Sequence, residues 1–380
     1  MPTQPYPYRE LPLKRITIIG CGVVGACIAY ELSLNPGFQV TVIDQASPAQ
    51  GATAAALGVA MAVINHKVKG RNWQLRERSL HRYQSLIPEL EALTGQAIQR
   101  NTHGILSLCF DPEEAPRWRS LQAIRQGQGY GLEIWEPERV GDRCPHLSTS
   151  GLAAGIYSPH DFQINPTALT HALVAGATAN GVEFHLGQSV TGFELTAAGD
   201  CAAVSTPSQT FPTDTGVIAA GLGTLPLTQT LHQPMAVGPV LGQALRLRVA
   251  SPLGRPDFQP VVNGHDIHLV PLGGGDYWVG ATVEFPPDRP PEEVLAMQPA
   301  AKPLAEVLAG AVAYCPALAA GEVTHQWSGL RPRPQGQAAP VIQPLAGYRN
   351  LWLATGHYRN GVLLAPATAL AIRDALEHLD

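Results

Sequence analysis

Charge is scarce in this chain. Only 14% of its 380 residues are Asp, Glu, Lys or Arg, against roughly 25% in an average globular protein. A surface so poor in charge implies that part of it is covered, which points to a homo-oligomer. The 25 Lys+Arg and 30 Asp+Glu give a formal net charge of −5, and no stretch gathers the basic residues into a stripe. Nucleic acid is therefore not an expected partner. A cysteine framework is missing too. Cys21, Cys27, Cys109, Cys144, Cys201 and Cys315 are scattered without a CxxC pair, as expected of reduced, buried thiols in a cytoplasmic protein. No run reads as a membrane span or a secretory leader. Ile16–Leu34 comes nearest, but it holds Gly20, Gly22, Gly25 and Glu31 and follows a polar, proline-containing segment. The expectation is a soluble chain with no membrane partner. Internal repeats and low-complexity tails are absent as well.

What is present is apolar residue, 45% of the total, in a chain long enough for two intertwined domains. Residues Arg15–Gly20 are a short β-branched run of the kind that forms a buried parallel strand. Val23–Leu34 reads as a helix stopped by Asn35-Pro36-Gly37, and Val40–Ile43 as a second buried strand ending at Asp44. The small-residue stretch GATAAALGVA (Gly51–Ala60) suggests backbone packed close against something. Trp73–Leu93 is an amphipathic helix with Trp73, Leu80, Tyr83, Ile87 and Leu90 on its apolar face. Gly104–Trp135 reads as strand, charged helix and strand. Asn165 and Pro166 suit the N-cap and first position of a helix. Strands are expected near Val182–Phe184 and Val217–Ala220, an antiparallel sheet over Val237–Val283, and then a passage rich in proline and glycine. Leu351–Ala354 reads as a strand and Leu363–Leu376 as the closing helix.

The expected fold class is thus α/β (α+β). A Rossmann-like nucleotide-binding domain would be drawn from residues 1–82, 148–226 and 326–380. An interleaved substrate domain on a largely antiparallel sheet would come from 83–147 and 227–325. Gly20-Cys21-Gly22-Val23-Val24-Gly25 is a GxGxxG between a strand and a helix, and Asp44 closes the next strand. The first glycine permits the tight turn, the second a close approach to a pyrophosphate, and the third packing of helix on strand. The helix N-terminus favours the phosphates, and the acid suits ribose hydroxyls. The motif alone does not separate FAD from NAD.

Other segments narrow the choice. GATAAALGVA after Asp44, the run His160-Asp161-Phe162-Gln163-Ile164-Asn165-Pro166, WSGLRPRP (Trp327–Pro334), APVI (Ala339–Ile342) and LWLATGHYRNGVLLAPATA (Leu351–Ala369) together resemble the D-amino acid oxidase family. Within it they are most similar to the glycine oxidases of thiamine biosynthesis. The resemblance runs nearly end to end, most closely over the last fifty or so residues. It implies non-covalently held FAD, and Cys315 reads as a buried thiol rather than a flavin anchor. It implies oxidation of the Cα–N bond of a small amino acid, glycine first, with sarcosine and small D-amino acids as further candidates. The products would be an imine or 2-oxo acid, ammonia and, with molecular oxygen as acceptor, hydrogen peroxide. A D-amino acid dehydrogenase, a sarcosine oxidase-like enzyme and a non-catalytic FAD-binding subunit are the alternatives, since one fold serves several functions.

The resemblance also assigns residues. Arg331 matches a carboxylate-binding arginine, whose planar fork donates two parallel hydrogen bonds, and Arg359 matches a second arginine beside the substrate. Cofactor contacts are implied for Gly20, Gly22, Val23, Val24, Gly25, Asp44 and Gln45. They are implied also for Ala52, Thr53, Leu57, Gly58 and Val59, which would run along the flavin. Val190 is either a contact to the adenine half or an ordinary strand residue. His357, Tyr358, Asn360, Gly361, Val362 and Leu363 lie between a strand and a helix expected to start near Pro366, whose N-terminus would face the flavin ring. The sequence departs from the family at His268, where glycine oxidases carry tyrosine. His268 is either a pocket residue titrating near neutral pH or a satisfied core histidine, and Val283 falls in a stretch expected to line the pocket. His265 and His268, three apart in an expected strand, would point to opposite faces, which argues against a metal site.

Overall fold

The computed structural model describes residues 13–286, 293 and 301–378. Its first sheet starts where the β-branched residues are densest. Lys14–Ile19 and Phe38–Asp44 lie parallel, with Ile16 opposite Val40 and Ile18 opposite Val42, and all four of these side chains are buried. The parallel pairing needs a crossover, supplied by the helix Val23–Ser33. The complete sheet runs in the order Val341–Pro344, Leu351–Thr355, Thr215–Ile218, Lys14–Ile19, Phe38–Asp44, Glu183–Leu186. All its strands are parallel except Val341–Pro344, which is antiparallel at the edge. Segments from the start, middle and end of the chain therefore share one nucleotide-type sheet, the expected α/β arrangement.

The helices Val23–Ser33, Gly70–Thr94, Pro166–Ala179 and Gly361–Glu377 contribute to one apolar cluster that includes Ile28, Leu32, Leu86, Leu90, Leu173, Ala365 and Ile372. Burying each large aliphatic side chain here is worth about 1.5–3 kcal/mol. Glu31 sits in this layer at 0% exposure. Arg82 lies 2.5 Å from it and Arg373 3.3 Å, the paired state that a buried charge requires. Among the described residues no helix is long and apolar enough to cross a membrane. All six cysteines are free and buried.

The second sheet has eight strands: Glu322–Pro334, Val237–Arg248, Asp276–Gly280, Ile267–Gly273, Val261–Gly264, Ile105–Cys109, Ala154–Ser158 and Glu133–Trp135. It is antiparallel apart from the pairing of Val261–Gly264 with Ile105–Cys109. Helix Ala301–Tyr314 covers it through Leu304, Val307, Ala311 and Tyr314. Ala154–Ser158 and Glu322–Pro334 belong to this sheet. The chain thus stays with the larger sheet beyond residue 148, and again beyond residue 326, as far as Pro334. The proline-rich passage after Phe285 lies largely outside the described residues.

Two local expectations are corrected. His265 is not in a strand. It and Asp266, at φ 51° and 64°, form the two-residue turn between Val261–Gly264 and Ile267–Gly273, with the backbone sign of a type I′ hairpin. The final helix begins at Gly361, not at Leu363 or near Pro366. Pro366 lacks an N–H and leaves the Val362 carbonyl without its helical donor. The Tyr83 hydroxyl donates to that carbonyl at 2.5 Å, so the helix runs through the proline.

Candidate active site

The strand–turn–helix at Gly20–Gly25 is built for close backbone approach. A Cβ on Gly25 would lie 1.9 Å from the Gly20 carbonyl oxygen, and Gly20 itself has φ +112°. Gly22 caps the helix without a side-chain hydrogen bond, and no acid occupies the first turn, so its positive end is open to an anion. Val23 N–H donates to the Thr53 hydroxyl at 3.1 Å, tying the turn to the helix Ala52–Ala55. The Asp44 carboxylate accepts from Cys21 N–H at 2.5 Å and Ala46 N–H at 2.8 Å, one on each oxygen. Each oxygen keeps a lone pair for a ribose hydroxyl. Gln45 is exposed. An uncapped helix end, glycines where side chains cannot fit and an acid at the next strand end suit a dinucleotide such as FAD.

The small-residue stretch meets the second sheet directly. The Trp327 indole donates to the Ala55 carbonyl at 3.1 Å, and a Cβ on Gly329 would lie 2.2 Å from Ala55 Cβ. Leu57 and Gly58 are buried, and Val59 pairs with Gln163. Val190 is half-buried in the loop after Glu183–Leu186, not within a strand. It packs on the cluster that holds Ile19 and Ile43.

The stretch continues into a scaffold that sequence reasoning missed. The fully buried Asp161 carboxylate accepts from Ala62, Val63 and Ile64 N–H at 2.7, 2.9 and 2.8 Å. Arg125, also buried, donates to the carbonyls of Val63 and Asn65 at 2.7 Å each. Its guanidinium carbon lies 3.6 Å from the centre of the Trp73 ring, and burial pushes its pKa down to about 10. Arg76 donates to Met61 O at 2.8 Å and Asn360 Oδ1 at 3.2 Å. One acid and two arginines thus hold the backbone just past the small-residue stretch and link it to the loop before the last helix.

That loop carries the C-terminal site residues. His357 is buried, shares a 2.8 Å hydrogen bond with the Thr368 hydroxyl, and is pushed by burial to about 3. Tyr358 takes φ +54° in the short turn Tyr358–Asn360. Gly361, Val362 and Leu363 form the first turn of the helix, with neither a side-chain cap nor an acid.

Arg331, Arg359 and His268 come together around Asp266. Arg331 projects from Glu322–Pro334 across Gly242 of the neighbouring strand, where a Cβ would lie 2.3 Å from its Nη1. It donates to Leu241 O at 3.1 Å. Among the described residues no carboxylate stands within ion-pair distance of it, whereas Arg359 is paired bidentately with Asp266 at 3.1 and 3.1 Å. Burial and the Arg359 charge lower the Arg331 pKa, yet a guanidinium stays protonated. Among the described residues Arg331 is thus a half-buried cation without a directly paired carboxylate. Glu284 faces Arg331 at longer range, its Oε1 taken by the Gln243 amide at 2.7 Å and the Thr282 hydroxyl at 2.5 Å.

His268 corrects the expectation of a group titrating near neutrality. Burial, then the Arg359 charge, lowers it to about 4, so it is neutral at pH 7. Its Nδ1 is buried without a hydrogen-bond partner. Among the described residues no group of His, Cys, Asp or Glu could hold a metal ion.

His146 is held at about 4 by burial as well. Like His268 and His357, it titrates near 6.5 once unfolded. Between about pH 4 and 6.5 the unfolded chain therefore binds more protons. Stability should fall on acidification through that window, by up to about 1.4 kcal/mol per pH unit for each histidine. Melting temperatures at pH 7 and pH 5 check this. The expected result is a lower value at pH 5, with a smaller drop in His357→Gln.

Comparison with known proteins follows the same lines. A family model described as DAO, FAD dependent oxidoreductase, matches residues 15–375. A curated "Bifunctional protein ThiO/ThiG" of Nostoc sp. is 33% identical over 96% of this chain and 52% of its own length. The chain thus spans about half the length of that relative. A "Glycine oxidase" of Pseudomonas putida is 30% identical over 96% of this chain and 94% of its own. The crystal structure of glycine oxidase from Geobacillus kaustophilus superposes with a TM-score of 0.85 at 26% identity, covering 97% of this chain and 96% of that one.

Proposed function

Because the chain belongs to the DAO family of FAD-dependent oxidoreductases, and is thus an FAD-dependent amine oxidoreductase, we propose that it oxidises the α-amine of a small amino acid, glycine foremost. The products would be glyoxylate, ammonia and hydrogen peroxide. The observation that carries this reading is Arg331, a half-buried cation with no carboxylate partner among the described residues, on a strand that touches the small-residue stretch. A small substrate offers one strong handle, its carboxylate, and a guanidinium binds it through two parallel hydrogen bonds.

When bound, FAD would supply the hydride acceptor and the route to oxygen, so the protein's part is placement. Arg331 fixes the substrate's carboxylate, and Arg359, held by Asp266, lies beside it. The neutral His268 has an unmet ring nitrogen that a polar group of the substrate would complete, and histidine in place of tyrosine reshapes the pocket there. The turn Gly20–Gly25 and Asp44 hold the dinucleotide end. Ala52, Thr53, Leu57, Gly58 and Val59, with the Gly361 helix terminus, hold the ring end. Arg331 lies on the strand of the larger sheet that meets the small-residue stretch. Water hydrolyses the imine product to the 2-oxo acid and ammonia.

No protein base is needed if hydride leaves the neutral amine. In oxygen-consumption assays with glycine, kcat/KM should then rise about tenfold per pH unit below the amine's pKa, with one peroxide formed per oxygen consumed. A rate independent of pH across that titration would contradict transfer from the free amine. Turnover with an artificial acceptor but not with oxygen would make the enzyme a dehydrogenase.

A further inference from the structure

Resting on the reading of Arg331 and Arg359 as the carboxylate side of the site, we propose that Asp266 restricts the enzyme to substrates with one carboxylate by occupying Arg359. Two guanidiniums reach this cluster, and each is close enough to affect its surroundings electrostatically. Arg359 depresses Arg331, and both lower the carboxyl of Asp266. Of the carboxylates among the described residues, Asp266 alone pairs with either guanidinium, and it takes both donors of Arg359. His268 is neutral and Glu284 is engaged by Gln243 and Thr282. Glu284 keeps its charge but forms no ion pair with Arg331, so of the two guanidiniums Arg331 is the one left without a directly paired carboxylate among the described residues. One cation matches one carboxylate.

Asp266 is held over Arg359 by the backbone rather than by the ion pair alone. It is the second residue of the turn between Val261–Gly264 and Ile267–Gly273, with both turn residues at positive φ, where Asp is tolerated better than most side chains. The first residue, His265, stacks on Phe110 with ring centres 4.3 Å apart and planes 10° from parallel. The Asp266 side chain is 69% exposed, so the pair adds little to stability. Its consequence lies in which anions the site accepts. A second carboxylate would have to displace Asp266 from Arg359 and would meet its charge at close range.

The test uses the FAD-loaded enzyme, Asp266→Asn, which removes the charge at constant shape, and Asp266→Glu, which keeps it. Two ethers that cannot be oxidised at an amine serve as probes, methoxyacetate with one carboxylate and oxydiacetate with two. Binding is followed by perturbation of the flavin absorbance, and turnover is compared for glycine and iminodiacetate. Asp266→Asn should bind oxydiacetate about tenfold more tightly than the parent and gain about tenfold in kcat/KM for iminodiacetate. Methoxyacetate and glycine should gain clearly less than oxydiacetate and iminodiacetate do, and Asp266→Glu should resemble the parent. An unchanged oxydiacetate affinity in Asp266→Asn overturns the proposal, as does an equal loss for both ethers, which would make Asp266 a mere support for Arg359. Methoxyacetate binding that Arg331→Ala leaves intact would instead overturn the underlying carboxylate assignment, and the proposal with it.

Discussion

Arg331→Ala should raise KM for glycine and lower kcat/KM by roughly 10²-fold, while the flavin spectrum and the melting temperature stay near those of the parent. The magnitude follows from removing one partner of a largely desolvated charge pair, a loss of about 3 kcal/mol at the lower end of such cases. The unchanged stability follows from the free site. The guanidinium has one hydrogen bond, to Leu241 O, and no carboxylate partner among the described residues, so its removal relieves a desolvation cost rather than breaking an ion pair. A structural arginine would behave in the opposite way, with a lower melting temperature and an intact KM. Lysine should restore only part of the affinity, because a point charge lacks the planar fork. Steady-state kinetics and a thermal melt on the same preparation separate the two readings.

The second large effect is expected far from the substrate. Asp161→Ala should destabilise the protein by at least about 3 kcal/mol, because three buried backbone N–H groups lose their acceptor at about 1–3 kcal/mol each. The same carboxylate faces Arg76 and Arg125, which would lose their nearby negative charge. For a chain of this size the melting temperature should drop by roughly 4 °C or more. FAD occupancy, read as the ratio of visible to ultraviolet absorbance, should fall with it, since Ala62–Ile64 continue the stretch that begins at Ala52. Asp161→Asn keeps one oxygen acceptor and should lie between the two. A variant that melted and bound FAD like the parent would show that water replaces the carboxylate without loss.

Much of the frame was legible because local chemistry decided it. The βαβ unit, the Asn165 cap and the amphipathic helix after Gly70 each rest on residues that leave few other structures open. The sequence places the final helix too late because a proline normally marks a helix start, and the donor that rescues the Val362 carbonyl, Tyr83, lies 279 residues away. His265 reads as a strand residue because apolar residues follow it in HDIHLVP, yet Asn263-Gly264 directly before it is a turn signal, and His and Asp both tolerate positive φ. At the site, sequence similarity drew attention to Arg331, Arg359 and His268, and the structure gathers them. It did not suggest Asp266, since an acid is not an expected neighbour where an acid substrate binds. Nor did it suggest Arg125, a charged residue in a charged helix, whose burial against carbonyls of residues 62–67 is set by tertiary packing alone. The neutrality of His268 is likewise a product of burial and of two arginines distant in sequence.

The most direct measurement is to mix the FAD-loaded protein anaerobically with glycine, sarcosine, D-alanine, D-proline and a set of L-amino acids, and to follow the visible flavin absorption. The account predicts rapid bleaching by glycine, with sarcosine and small D-amino acids following. A flavin that none of these amines bleaches would contradict the assignment of small amino acids as substrates.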